Sequence, residues 1–452
     1  MRIVPFRLQR HMRAAAILVI ALVFTAAAAP MFVRTVLGQK MPDDFDVVYS
    51  GARAILARTE IDAATRGMYI YSPFLAFVFQ PLALLPERVA AIAWLILIAA
   101  IILAATIIAS RKIAETWQFS SSDGDRTLRS VVLAAALLLS FEKIRSEFIL
   151  GQTDCLILLG LALILYWLDR RPWLVALAVG VTANFKYLAL IFVPYFVIKR
   201  NYRAASISIA WFAFFFVLPA LEIGARLISD YMMNAVAVLA KIIGERGPVS
   251  GALGDHTPVV NSIAWINSVS LTSTIFRVTR SFQISGDTAA VAIALLLMAV
   301  IAALVWIGRR YDVDIFRPAA TRPKNARAQT SNIEWAALII VALIFGPQTT
   351  ARHMIMLVLV YIVGFTLVVV EQRRVARISL LASMIATAVA LSLPFRQTGF
   401  HPALIALKSA GAASWCALLL LFSIVVIGCQ QILSRRAVAT GNEFNVIPPA
   451  SS

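Results

Sequence analysis

Charge is what this sequence has least of. Only 14% of its 452 residues are Asp, Glu, Lys or Arg, while 61% are apolar. A soluble domain carries about a quarter charged residues and about half apolar ones, so an ordinary soluble globule is excluded. Cysteine is scarce as well. Cys155, Cys416 and Cys429 all lie inside apolar runs, outside any metal-ligand spacing, which argues against a disulfide framework or a zinc site. The signatures of soluble nucleotide and hydrolase chemistry are absent: no Walker loop, no G-x-G-x-x-G after a strand, no H-E-x-x-H and no G-x-S-x-G. The 41 Lys and Arg exceed the 23 Asp and Glu, for a net charge of +18. With no soluble basic domain to carry it, this excess does not point to nucleic acid. Lys and Arg crowd into the cytoplasmic loops of membrane proteins.

What the sequence has is apolar runs, and its mean hydropathy is +0.84. Runs of roughly 17 to 25 apolar residues are the signature of helices that cross a bilayer, where every backbone polar group must be satisfied within the segment. The expectation is an all-α integral membrane protein with several spans. Its start, "MRIVPFRLQRHMR" followed by "AAAILVIALVFTAAAAP", resembles a signal peptide. So many further spans follow that it reads as an uncleaved first span over 13–33, after a cytoplasmic segment 1–12.

Placing the basic clusters inside fixes the topology. These are Arg111-Lys112, Arg170-Arg171, Lys199-Arg200, Arg309-Arg310, Arg373-Arg374-Arg377 and Arg435-Arg436. Residues 34–71 then form an outer loop, and 72–86 form a short re-entrant or interfacial segment. Spans are expected at 89–109, 129–142, 150–168, 204–220, 286–307, 334–345, 354–370, 377–393 and 409–432. The stretch 173–198 reads as two short helices with Lys186 at their outer turn. That makes about twelve crossings (about 10 to 13) in a transmembrane domain over 13–435. A second outer loop covers 222–285, a plain basic linker 308–333, and a disordered tail 436–452.

Polar side chains in or beside spans are informative, because a charge at mid-bilayer costs about 2.5–3.5 kcal/mol on insertion scales. They gather in four places. One is Asp43, Asp44 and Asp46. The second is "EKIRSEFILGQTD", with Glu142, Lys143, Arg145, Glu147, Gln152 and Asp154. The third is Lys186. The fourth is "GPQTTARHM", with Gln348, Arg352 and His353. All four fall at outer ends of spans, which suggests one outward-facing polar site. Each group also has a structural reading. Asp44 or Asp46 would cap a helix starting near Val47, Arg145 and Glu147 would form a weak interfacial pair, Lys186 would snorkel, and His353 would bond between helices. Tyr69 and Tyr71 of "YIYSP" fit an interfacial aromatic belt better than a platform for sugar rings.

The segments "DDFDVVYSGARAILAR", "MYIYSPFLAFVFQPLALLP", "FILGQTDCLILLGLALIL", "GVTANFKYLALIFVPYFVIKR" and "FGPQTTARHMIMLVLVY" resemble, in order and spacing, the pattern of glycosyltransferase family 87. That family belongs to the GT-C superfamily of integral-membrane enzymes. The resemblance covers roughly 40–370. It implies a GT-C-like helical bundle whose first outer loop carries an interfacial helix. It also implies inverting transfer of a sugar, of the mannose or arabinofuranose class, from a polyprenyl-phosphate donor to a lipid or glycan acceptor. The reaction would take place on the outer face of the bacterial inner membrane. No cofactor and no metal are implied; membrane lipids are the other partner.

In the family's register Asp44 falls at the general base and Tyr49 at its tyrosine, with Val48 in place of the usual aromatic. Asp43 and Asp46 are neighbouring candidates. Gln152 matches the Gly-Gln motif and Lys186 the intramembrane lysine. His353 matches the second of two late histidines, Arg352 stands at the first, and Gly346-Pro347 replaces Ser-Pro. The resemblance thus assigns catalysis to Asp44 and His353. Substrate binding is expected of Asp43, Asp46, Tyr49, Arg145, Gln152, Lys186 and Arg352, with Lys186 and Arg145 as the candidate cations for the leaving phosphate. A transporter or flippase for a lipid-linked sugar has a similar span count but wants its charges near mid-membrane with repeat symmetry. An O-antigen-ligase-like enzyme is the other alternative.

Overall fold

The computed structural model describes residues 6–439 except 67, 119–122, 227, 230, 234–262, 319–323, 348 and 393–400. Much of the expected outer loop 222–285, the tip of the linker, Gln348 and most of the tail lie outside the described residues. Among those described there is no strand, and the sole β feature is an isolated bridge pairing Ser268 with Thr350. Eight helices are long and apolar enough to cross a membrane, and four shorter apolar ones lie between them. The protein is all-α and polytopic.

The elements that place the site are, in chain order, α1 (Phe6–Val36), α2 (Asp43–Ala57), α3 (Pro73–Ala83), α4 (Glu87–Thr116), α5 (Asp123–Leu139), α6 (Phe141–Leu150), α7 (Asp154–Trp167), α8 (Pro172–Phe185), α9 (Phe192–Ile198) and α10 (Tyr202–Val217). They continue with α11 (Leu271–Ser281), α12 (Gly286–Arg310), α13 (Lys324–Phe345), α14 (Leu357–Val370), α15 (Arg374–Ser392), α16 (His401–Ser409) and α17 (Ala412–Ala439). In lipid, helices associate through close packing rather than a hydrophobic drive, so small residues mark the contacts. Gly160 of α7 lies against Thr182 of α8, and Gly180 of α8 against Trp211 of α10. The most extensive helix pairs are α8 with α10, α1 with α5, α4 with α7, α15 with α17 and α2 with α3.

The basic clusters meet at one end of the bundle. There Lys112 pairs with Asp169 at 3.3 Å, Arg170 with Glu115 at 3.0 Å, Lys199 with Glu334 at 2.6 Å and Arg436 with Asp312 at 3.5 Å. This end departs from the expected boundaries. Residues 308–333 were read as a linker, yet α13 starts at Lys324. Polar side chains of its first turns are buried against distant segments: Ser331 donates to Asp169 at 3.0 Å, and Glu334 accepts from Tyr195 at 2.9 Å and the Phe316 N–H at 2.5 Å, while the buried Asn332 amide has no hydrogen-bond partner among the described residues. Hydropathy alone misses a polar helix start whose partners come from distant segments.

At the other end the chain does something no span requires. α7 and α8 are each 14 residues long, about 21 Å at 1.5 Å per residue, against a hydrocarbon core of about 30 Å. The loop residues Asp169 and Arg170 tie their connection to the basic end. Asp154 at the head of α7 and Lys186 at the tail of α8 are therefore recessed below the reach of the 30-residue α4.

The N-terminus of α2 is fitted against this recess by a single glycine. Gly151 ends α6 at φ +67, and a Cβ there would come within 2.7 Å of the Pro42 Cβ and 2.8 Å of the Phe45 Cβ. Its carbonyl accepts from the Trp94 indole of α4 at 2.9 Å. A left-handed non-glycine residue costs about 1–2 kcal/mol and an overpacked contact about 1–3 kcal/mol. Gly151→Ala is therefore expected to lose about 2–4 kcal/mol of stability, read as a lowered midpoint of thermal unfolding in detergent. An unchanged midpoint would show that α2 is not seated this way.

Candidate active site

Four elements bring one residue or more to the recess: the first turn of α2, the α6–α7 turn, the break after α8, and the turn before α14. Their side chains form two linked ion pairs. Arg352 Nη1 lies 2.7 Å from Asp44 Oδ2. Lys186 Nζ donates to Asp154 Oδ1, whose carboxylate is fully buried. His353 joins the second pair, with its Nε2 3.9 Å from Asp154 Oδ2.

Local structure explains each placement. The sequence "ANFK" ends α8, and Lys186 is extended at φ −153, ψ 142 before a short 3-10 turn over Tyr187–Ile191. The break is held by Asn184, whose side chain donates to Gly180 O at 2.9 Å and Phe212 O at 3.0 Å, while Ser72 donates to the Asn184 carbonyl. The backbone thus turns the lysine inward instead of letting it snorkel. His353 opens a 3-10 turn over His353–Met356. Its Nδ1 accepts from the Thr350 N–H at 3.2 Å, so in the neutral ring the proton sits on Nε2, facing Asp154. The ring thus presents a donor towards the Asp154 carboxylate.

The three aspartates of α2 separate cleanly. The helix begins at Asp43, not near Val47, with Pro42 at its N-cap and no side-chain cap bond. Capping by Asp44 or Asp46 is thereby ruled out, although carboxylates in a first turn still suit the helix dipole. Asp43 is exposed and pairs with Lys40 at 3.3 Å; Asp46 is exposed and accepts from Ser50 at 3.5 Å. Asp44 alone turns into the recess. Burial pushes its carboxyl above the ordinary 3.8, and Arg352 and Lys186 pull it partly back.

Other expected residues are placed differently. Tyr49 donates to Leu85 O at 2.9 Å and ties α2 to the turn before α4, so it supports the site from behind. Arg145 pairs with Glu142 at 3.2 Å on α6 and does not join the cluster. Gln152 is buried beside the cluster, and its Nε2 and the Thr153 Oγ1 have no hydrogen-bond partner among the described residues.

Sequence reasoning left three cluster residues out of the site. Asp154 and Glu147 were noted as polar but given no role. Asp154 is the one acidic residue in a 14-residue run that is otherwise apolar, which is the signal that marks it. Glu147 is fully buried near it. Neither Glu147 oxygen makes a full hydrogen bond, although the Cys155 N–H lends a weaker one. Burial and the neighbouring Asp154 push its carboxyl well above the ordinary range. Tyr71 was read as part of an interfacial belt, and the structure overturns that for Tyr69 and Tyr71 alike: both rings are buried. Tyr69 donates to Ser72 O and accepts from the Ala76 N–H. The Tyr71 ring lies 5.7 Å from Lys186 Nζ, and burial beside Asp44 and Asp154 keeps its phenol protonated.

The described residues hold no group of three or more His, Cys, Asp or Glu placed to bind a metal ion. The recess combines one half-buried carboxylate with two fixed cations and unspent donors. Such a set can accept a proton from one group while stabilising negative charge on another.

The model of glycosyltransferase family 87 matches residues 69–322, more than half of the chain. The chain belongs to glycosyltransferase family 87. The family match contains Tyr71, Glu147, Gln152, Asp154 and Lys186, while Asp44, Arg352 and His353 lie outside it. Among curated proteins, the chain is 29% identical over 185 residues to a polyprenol-phosphate-mannose-dependent alpha-(1-2)-phosphatidylinositol pentamannoside mannosyltransferase of Mycobacterium tuberculosis, covering 40% of this chain and 39% of that one. It is 32% identical over 158 residues to the Mycolicibacterium smegmatis protein of the same description, covering 35% and 36%. These matches span well under half the length of the curated relatives. No solved structure matches the chain.

The Lys186–Asp154 pair gives the site a testable energetic signature. Breaking a buried pair by removing one partner costs about 3–5 kcal/mol, whereas replacing both with apolar groups is often nearly neutral. Asp154→Asn is expected to lower the unfolding midpoint strongly, and Asp154→Asn with Lys186→Met to recover a large part of that loss. Additive losses in the double variant would mean that the two side chains are not coupled.

Proposed function

We propose that the protein is an inverting membrane glycosyltransferase. It moves a sugar, of the mannose class named in its relatives, from a polyprenyl-phosphate donor to a lipid or glycan acceptor. The reading rests on one observation: a single half-buried carboxylate, Asp44, is held against two fixed cations, Arg352 and Lys186, in a recess at the end of an apolar bundle. The basic end of the bundle belongs in the cytoplasm by the positive-inside rule. That directs the recess to the outer face of a bacterial inner membrane.

In the reaction, the acceptor hydroxyl oxygen attacks the sugar C1 from the face opposite the phosphate. The new C1–O bond forms as the bond from C1 to the phosphate oxygen breaks, and that bond's electron pair leaves with the polyprenyl phosphate. Asp44 takes the hydroxyl proton. Lys186 and Arg352 are already in place to meet the charge that develops on the leaving phosphate. Asp154 orients Lys186, and His353 orients Asp154. Gln152 and Tyr71 supply neutral donors beside them. The leaving group departs as an anion, so a metal is not obligatory in this scheme.

General-base help is worth about 10² to 10⁴ in rate. Transfer of labelled sugar from polyprenyl-phosphate mannose in membranes is therefore expected to fall by that factor in Asp44→Asn. Asp43→Asn and Asp46→Asn should stay within a few-fold of the parent. Full activity of a normally expressed Asp44→Asn would sink the assignment.

The pH profile carries a second test. The base works deprotonated, so activity falls as pH drops through the Asp44 pKa, which burial sets above 3.8. Arg352 holds that pKa down, so Arg352→Gln is expected to move the acid limb of kcat/KM to higher pH as well as lowering the rate. An acid limb that stays in place would mean that another group titrates.

A further inference from the structure

The turn that delivers Arg352 and His353 to the recess is held by a distant piece of chain. It follows the end of α13 at Phe345 and leads into the 3-10 turn over His353–Met356. The head of α11, 73 to 81 residues earlier in sequence, bonds its backbone. Ser268 and Thr350 form the isolated antiparallel bridge. The Val269 N–H donates to Thr349 O at 2.6 Å. The Thr349 N–H donates to Ser268 Oγ at 3.2 Å, and that hydroxyl donates back to Thr349 O at 3.3 Å. Thr272 Oγ1 donates to Phe345 O at 2.9 Å. One serine side chain thus engages both backbone groups of Thr349, just ahead of Arg352, while the next N–H, of Thr350, donates to His353 Nδ1.

A serine hydroxyl has one hydrogen to give, and this gives the network a direction. Ser270 Oγ donates to Ser273 Oγ at 3.0 Å, Ser273 Oγ donates to Ser268 Oγ at 2.7 Å, and Ser268 ends the run on Thr349 O. Pro347 O, at 3.2 Å, is a second acceptor for Ser273 on the same turn. Ser270 starts the run as the N-cap of α11, its oxygen accepting from the Ser273 N–H at 3.1 Å. All three serines are fully buried. Buried hydroxyls are costly unless bonded, and bonds in a chain strengthen one another in a low dielectric. The segment is anchored from behind as well. Arg277 Nη1 donates to Trp265 O at 2.9 Å and Ser268 O at 3.1 Å, and Ser414 of α17 donates to Val269 O.

We infer that Ser268 and Ser273 are positioning residues of the reaction: their hydroxyl run fixes the turn before α14 so that Arg352 meets Asp44. The inference rests on the transferase reading above and extends it to the segment before α11, to which that reading gives no part. Asp44 is faced by Arg352 from this turn, by Lys186 from the end of α8, by Asp154 from the head of α7 and by Asp43 from its own helix, and it also interacts with Glu147 of α6 and with Tyr71. Of these groups only Arg352 is carried by the turn that the serines hold. A cation close to a carboxyl favours its charged form, and the effect weakens as the two separate. Loosening the turn therefore acts on Asp44 through Arg352.

The test reads Asp44 without turnover. The full chain in uncharged detergent is labelled with dicyclohexylcarbodiimide across a pH series, and the modified carboxyls are located by peptide mass spectrometry. The reagent attacks protonated carboxyls, so the midpoint of labelling at Asp44 follows its pKa. Ser268→Ala is expected to raise that midpoint by about 0.5 to 1 pH unit, part of the 1–3 that a neighbouring cation supplies. Ser273→Ala, which leaves Ser268 its own bonds to Thr349, should raise it less. The labelling profile of the exposed Asp46, on the same helix, is the control and should not move. In an Arg352→Gln background Ser268→Ala should shift Asp44 no further, as expected of residues that act through one another. An Asp44 midpoint that stays in place in folded Ser268→Ala would overturn the inference. So would an equal rise in the Arg352→Gln background, which would give the serine an effect of its own. If Ser268→Ala does not fold, Ser273→Ala decides by the same two outcomes. In transfer assays the acid limb of kcat/KM should move with the labelling midpoint, and a limb that stays while labelling shifts would overturn the serines' part in the reaction. A fully active Asp44→Asn would sink the transferase reading and leave the labelling result standing on its own.

Discussion

A buried carboxylate and a partly buried ammonium at a broken helix organise this protein. The Asp154 carboxylate has no exposure to solvent, and it persists there because Lys186 donates to it from the point where α8 stops being a helix. In an apolar bundle neither charge is tolerable alone. The break in α8, the bonds of Asn184 that hold it, the short α7–α8 hairpin and the His353 tautomer all serve to keep those two groups together. The recess follows from the same constraint, since two helices of about 21 Å cannot span a bilayer core of about 30 Å.

Onto this fixed pair the fold adds a movable-proton group from a separate element. Asp44 rides on α2, which packs against the short apolar α3 and against Gly151. Division of labour follows. The buried pair sets the electrostatic background, and the half-buried Asp44–Arg352 pair is exposed enough to be opened by a substrate. Burial and cations act on Asp44 in opposite directions, and burial prevails, which makes it more basic than a surface carboxylate.

Much of this was legible in the sequence. The all-α, multi-span class followed from composition. Two short helices with Lys186 between them were foreseen from "ANFK", and convergence of Asp44, Gln152, Lys186, Arg352 and His353 followed from four polar clusters sharing one side. Other features were hidden for physical reasons. Asp154 was noted as polar but given no role, because its partner lies 32 residues away. Tyr69 and Tyr71 looked interfacial because aromatic composition does not distinguish a belt from a buried layer. The start of α13 was missed because its buried Ser331 and Glu334 are partnered by Asp169, Lys199 and Tyr195, which hydropathy does not count. Arg145 and Tyr49 carried the right chemistry but faced Glu142 and Leu85.

The central claim is that the recess is where donor and acceptor meet. An experimentally determined structure of the full chain with a non-hydrolysable polyprenyl-phosphate mannose analogue tests it most directly. The account predicts the phosphate oxygens within hydrogen-bond reach of Lys186 and Arg352, with the sugar C1 between that phosphate and the Asp44 carboxylate. A phosphate bound instead at the basic end, near Lys199 and Glu334, or a C1 turned away from Asp44, would contradict it.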